Sequence, residues 1–212
     1  MNRIVRSVVI VLLILGMGCT DSDNHRRFQT GDILFRGRLN GSLSRAIDAV
    51  TQTGMEHHYT HMGIVELIND TVWVYHAAPV KGVCKELLAD FCLANEDSVV
   101  VGHFRIKNGS KLMFDTALDR ARQELGQPYN YSYILDDEGF YCSEYIYHLF
   151  EQDSVFKLNP MTFVDPSSGE FHSGWIRHYK DLGIEIPEGE PGCNPNGMAA
   201  SENLEFLGRV ME

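Results

Sequence analysis

The chain has 212 residues, 44% of them hydrophobic and 22% charged, the balance of an ordinary globular protein with length for one domain and a real core. Its formal charge is −11, and without Arg3 and Arg6 of the N-terminal segment 16 basic side chains stand against 29 acidic ones. That surplus argues against binding nucleic acid or an anionic membrane surface by bulk attraction, and it leaves a neutral or cationic ligand, such as a peptide with a free amine, unopposed.

Arg3 and Arg6 precede an unbroken apolar run over residues 8–15, which is too short to span a bilayer permanently. Small residues Gly16 and Gly18 then lead to Cys19, after which the chain turns polar and acidic at Thr20, Asp21, Ser22 and Asp23. This order predicts a cleaved export signal over residues 1–18. Cys19 at the cleavage point resembles a bacterial lipobox, with Gly16 where leucine is usual. The resemblance implies a lipidated Cys19, a tether over residues 19–27 and a domain over 28–212. The expected location is the cell envelope, with the membrane reached through the lipid anchor alone.

Beyond the tether, residues 32–35 form a short apolar strand introduced by Gly31. Over 43–52, Leu43, Ala46, Ile47 and Val50 recur at helical spacing. Residues 60–67 read as a strand, Asn69-Asp70 as a hairpin turn and 71–77 as the returning strand. Another strand is expected over 99–106, then a helix over 112–125 that stops at Gly126, with Pro128 beyond it. A second helix fits 142–150, a helix or strand 174–182, and the tail reads as irregular. Strands and helices are mixed without a dividing linker, which predicts an α+β domain. An exported protein can hold disulfides, so Cys84 and Cys92 are a candidate local pair. No CxxC spacing occurs, and no metal site is expected.

Two segments carry chemistry. In the hairpin, side chains alternate between faces, so His61, Gly63 and Val65 share one side. A turn at 69–70 places His76 across from His61, where two imidazoles can meet. A polar group beside a catalytic histidine holds the ring, fixes its tautomer and stabilises the imidazolium. Cys142, in GFYCSEYIYHLF, opens an apolar helix after a loop, where free amides and the helix dipole favour thiolate and can donate to an oxyanion.

The segments GDILF (31–35), HMGIV (61–65), VYHAAP (74–79), GQPYNYSY (126–133) and FYCSE (140–144) occur in this order, and the tail over 192–208 follows. Together they resemble the circularly permuted, NlpC-type papain-like amidases, relatives of cell-wall peptidases and of the lecithin:retinol acyltransferases. The resemblance implies a permuted papain-like fold, with a small antiparallel sheet or barrel packed on helices and the nucleophile at a helix N-terminus. It makes Cys142 the nucleophile, His61 the base and His76 the third polar residue, with Glu66 as rival for that third role. Tyr141 and Tyr133 join Glu66 as cleft candidates. The implied reaction cleaves a peptide or acyl-amide bond, in cell-wall peptides first, through a thioester and without a cofactor. Lipid acyl hydrolysis or transfer is the second reading and a non-catalytic envelope binding module the third. No obligate protein partner is evident. His57 and His58 are expected in a solvated loop beside the site, and Asp32 in a structural hydrogen bond.

Overall fold

The computed structural model describes residues 27–37, 41–93 and 100–211, so the expected signal and the lipidation of Cys19 lie outside the described residues. Its centre is a six-stranded antiparallel sheet in the order β4-β3-β2-β1-β5-β8. The strands are β1 (Ile33–Gly37), β2 (His61–Ile68), β3 (Thr71–Ala78), β4 (Gly82–Leu87), β5 (Val100–Ile106) and β8 (Leu204–Met211). A two-stranded ribbon pairs β6 (Asn159–Pro160) with β7 (Pro191–Gly192). The helices are α1 (Ser42–Thr51), α2 (Leu88–Leu93), α3 (Lys111–Gln123), α4 (Cys142–Leu149), α5 (Ser173–Leu182) and α6 (Pro195–Ala199). This is the α+β class expected from the mixed element order.

Each face of the sheet closes a core. One face packs Ile33, Phe35, Met62, Ile64 and Tyr75 against the helices, including Tyr145, Ile146 and Leu149 of α4. Each of those α4 side chains is essentially sealed from water, and such burial stabilises by about 1.5–3 kcal/mol per large apolar residue. The opposite face packs Leu34, Val65 and Val74 against Phe28, Phe91 and Cys92, the last two from α2. The β2–β3 turn has positive φ at Asn69 (45°) and Asp70 (66°), the tight hairpin geometry those two residue types tolerate.

The predicted strands and helices are present with small shifts at their ends. The sequence reading did not contain β4, α2, the β6–β7 ribbon, α6 or β8, and of these β7, α6 and β8 lie in the tail expected to be irregular. The candidate Cys84–Cys92 disulfide is corrected, since both cysteines are free. Cys84 stands on β4 opposite His76, whereas Cys92 is packed in the second core. Asp32 fills its expected structural role: fully buried, it accepts from the Gln29 amide (2.8 Å), His103 Nε2 (2.6 Å) and the Arg105 guanidinium (2.7 and 2.8 Å).

Candidate active site

The β2–β3 ladder is paired from Ile64↔Tyr75 to the turn. Further from the turn, His61, Met62 and Gly63 pair with β1, while His76, Ala77 and Ala78 pair with β4. The N-terminus of α4 sits at this parting of the strands. Cys142 Sγ lies 4.0 Å from the Thr60 carbonyl oxygen, and the Met62 amide acts on the same sulfur to favour its thiolate form. The thiol therefore meets the backbone on either side of His61.

His61 itself is buried, with its ring against Phe91 (centroids 5.7 Å apart) and edge-on to His76 (5.0 Å). Its Nε2 stands 2.8 Å from His76 Nδ1, so the two imidazoles do meet across the hairpin. Gly63 makes room for this contact. A Cβ at that position would meet Val74 Cγ1 at 2.6 Å, the Tyr75 carbonyl oxygen at 2.9 Å and His76 Cβ at 3.3 Å. From His76 the chain of contacts continues outward: Nε2 is 3.1 Å from Glu86 Oε2, and Lys81 pairs with the other carboxylate oxygen. Burial lowers the His76 pKa and keeps the ring neutral, despite Glu86 beside it. The bond to His76, reinforced by Lys81, holds Glu86 down to about 2.

Glu86 and Lys81 escaped the sequence reading because β4 did. The signal was present in weak form: in GVCKEL, Cys84 and Glu86 alternate and so share one face. Glu66, the rival to His76, lies on the opposite face as its offset from His61 implied. It accepts from Tyr75 Oη at 2.7 Å and pairs with Lys85 (3.3 Å) and Arg122. That network occupies its carboxylate, and the residue on His61 is His76.

At the helix end, Glu144 accepts the Tyr141 amide at 3.0 Å and the Asn130 side-chain amide at 3.2 Å, closing the first turn of α4. Burial raises the Glu144 pKa to about 7. At Cys142 burial opposes the helix terminus. Burial pushes the Cys142 thiol up to about 11, outweighing Ser143 and the Met62 amide, which favour thiolate. Desolvation of a fully enclosed sulfur wins over the helix terminus, so proton removal needs a base.

Cys142 lines a cavity of about 110 Å³ together with Thr60, Tyr133, Tyr141, Ser143 and Cys193. Ile47, Val50, Met161, Phe163 and Trp175 add an apolar wall to the same cavity. Tyr133 and Tyr141 thus line the cavity beside Cys142, and burial raises the pKa of both, so their phenols stay protonated. Tyr141 Oη also accepts the Cys193 amide at 3.3 Å. His58 turns to Asp48 (3.0 Å) and His57 to Glu56 (3.8 Å).

A family model for the permuted papain-like amidase enzymes of the YaeF/YiiX, C92 family matches residues 27–208. A curated Escherichia coli (strain K12) relative, "Uncharacterized protein YiiX", is 31% identical over 126 residues. That match covers 58% of this chain and 57% of the relative, so it spans little more than half the relative's length. The crystal structure of the metalloprotein yiiX from Escherichia coli O157:H7 has a TM-score of 0.72 at 22% identity, over 88% of this chain and 99% of that one. The latter likeness is one of fold.

Proposed function

This chain belongs to the permuted papain-like amidases of the YaeF/YiiX, C92 family, and on that premise we propose that it cleaves amide bonds with Cys142 as nucleophile, His61 as base and His76 as the residue that holds His61. The observation carrying this reading is the convergence of Cys142 on the backbone flanking His61, with His61 Nε2 on His76 Nδ1.

With Nε2 engaged by His76, Nδ1 of His61 takes the role of base. His61 removes the proton that burial keeps on Cys142, and the thiolate attacks the amide carbonyl carbon. Amides of the first turn of α4, Ser143 among them, stabilise the oxyanion. The tetrahedral intermediate collapses to a thioester as the amine leaves with the proton from His61. Water, deprotonated by His61, then hydrolyses the thioester and restores the thiol. His76, neutral and bonded to the ionised Glu86, keeps the tautomer of His61 that this sequence requires.

Cell-wall peptides are the proposed substrate class. The acidic chain suits a ligand bearing a free amine, and the expected envelope address would bring the two together. A second reading, hydrolysis or transfer of a lipid acyl group, draws on the apolar wall of Ile47, Val50, Met161, Phe163 and Trp175 beside Cys142. Both pass through a thioester, so the test is one experiment with two substrate panels. Muropeptides and acyl esters are incubated separately with the protein, quenched in acid, and the Cys142 peptide is weighed by mass spectrometry. Peptidyl adducts on Cys142 with release of an amine support the proposal. Adducts from acyl esters alone favour the lipid reading, and turnover surviving Cys142→Ala would overturn both.

A further inference from the structure

At the outer end of the histidine pair, β3 and β4 bring three donors of different chemistry to one point. His76 Nε2, Cys84 Sγ and a Glu86 carboxylate oxygen all lie within 4.8 Å of one another. His76 and Cys84 are direct cross-strand partners, and Glu86 follows two residues later on the same face of β4. The sulfur is 3.5 Å from Nε2, and the carboxylate oxygen is 3.1 Å from it. A tetrahedral ion with zinc-like bond lengths sets sulfur and nitrogen about 3.6 Å apart, and nitrogen and oxygen about 3.4 Å apart. The observed separations lie within about 0.3 Å of both edges. A plain imidazole–carboxylate bond explains Glu86 but gives no reason for a thiol at the same nitrogen. Imidazole, thiolate and carboxylate together make a donor set suited to borderline divalent metals. Access is short, because Glu86 is covered by Lys81, whose side chain is 63% exposed.

We infer that His76, Cys84 and Glu86 form a binding site for a divalent transition ion of the zinc type, with its fourth position open to water. Bound there, the ion displaces Lys81 from Glu86 and takes the lone pair of His76 Nε2. The Cys84 thiol proton is released to solvent, one per ion. The proton that His76 carried on Nε2 must then reside on Nδ1. His76 Nδ1 becomes a donor to His61 Nε2, and the proton of His61 moves to its Nδ1, the nitrogen that serves as base. The ion therefore turns the catalytic base off from behind. This consequence rests on the proposed roles of His61 and His76, whereas the site itself does not.

The test is equilibrium dialysis of Zn²⁺ against the purified full chain, with Co²⁺ spectra in parallel. One Zn²⁺ per chain is expected, undiminished in Cys142→Ala and weakened at least about 10-fold in Cys84→Ser and in Glu86→Gln, since even an outer-shell partner is worth that much. The Co²⁺-loaded protein should show a thiolate-to-cobalt charge-transfer band that Cys84→Ser lacks. Iodoacetamide labelling of Cys142, located by peptide mass, should slow with Zn²⁺ in the wild type and be indifferent to it in Cys84→Ser. Binding lost in Cys142→Ala and kept in Cys84→Ser overturns the site, as does the absence of binding while Cys142 reacts normally. Zn²⁺ bound with the expected variant pattern over a Cys142 inert in either state leaves the site standing and refutes the catalytic roles instead.

Discussion

Replacing His76 by alanine removes the group that faces His61 Nε2 at 2.8 Å, in a setting where His76 is 1% exposed and His61 6%. Water has little access to take its place, so a polar nitrogen of His61 loses its partner inside the protein. An unmade buried hydrogen bond of this kind costs about 1–3 kcal/mol. In the reaction the same bond stabilises the imidazolium, so the cost falls on the step in which Cys142 loses its proton. At about 1.4 kcal/mol per decade, the rate of proton-dependent attack by Cys142 should drop about 5- to 150-fold. Asparagine is the informative companion, because its side-chain oxygen can stand near the place of Nδ1 and accept from His61 while losing Glu86. His76→Asn should therefore recover much of what His76→Ala loses. The assay needs no substrate: the second-order rate of Cys142 alkylation by iodoacetamide at pH 7, with the adduct located by peptide mass. Equal rates in wild type and a folded His76→Ala would refute the reasoning, since His61 would then be working without its neighbour.

Gly63→Ala should destabilise the protein by about 1–3 kcal/mol through overpacking, because the new methyl meets the Tyr75 carbonyl at 2.9 Å and the backbone has little freedom to yield; chemical denaturation measures it. Glu86→Gln should flatten the acid limb of stability. Glu86 is held at about 2 in the fold against an ordinary 4.5, so its contribution is complete above 4.5 and fades as pH falls toward 2, which acid titration followed by circular dichroism reads directly. Glu144 has the opposite sign: raised to about 7 by burial, it favours the folded state when protonated, so stability should fall as pH rises from about 4.5 to 7. Glu144→Gln keeps an oxygen for the Tyr141 amide and should lose that slope, seen in melting temperatures at the two pH values.

The alternation of residues in the 61–76 hairpin was enough to place two histidines on one face, because a period of two and a tight turn at Asn69-Asp70 fix the register. The helix opening at Cys142 was equally legible from its apolar spacing and the loop before it. β4 was hidden because it is an edge strand whose Lys85, Glu86 and Leu87 carry no apolar alternation; only its pairing with β3 gives those residues a direction. With it went Glu86 and the position of Cys84, for which closeness to Cys92 along the chain suggested a bridge that the fold does not make. The burial of Cys142 is hidden in the sequence for a different reason. A sequence shows that a cysteine opens a helix, and the depth at which that helix end is buried emerges only from packing of Tyr133, Tyr141 and the β2 backbone around it.

The central claim, that His61 activates Cys142, is tested most directly by the pH dependence of Cys142 alkylation in wild type and in His61→Ala. With His61 present the rate should level off near neutrality, because the imidazole takes the proton and the thiolate forms as half of a pair. Without it nothing offsets the burial that holds the thiol protonated, and the rate should be low at pH 7 and climb through the alkaline range. Superimposable profiles for the two proteins would contradict the account.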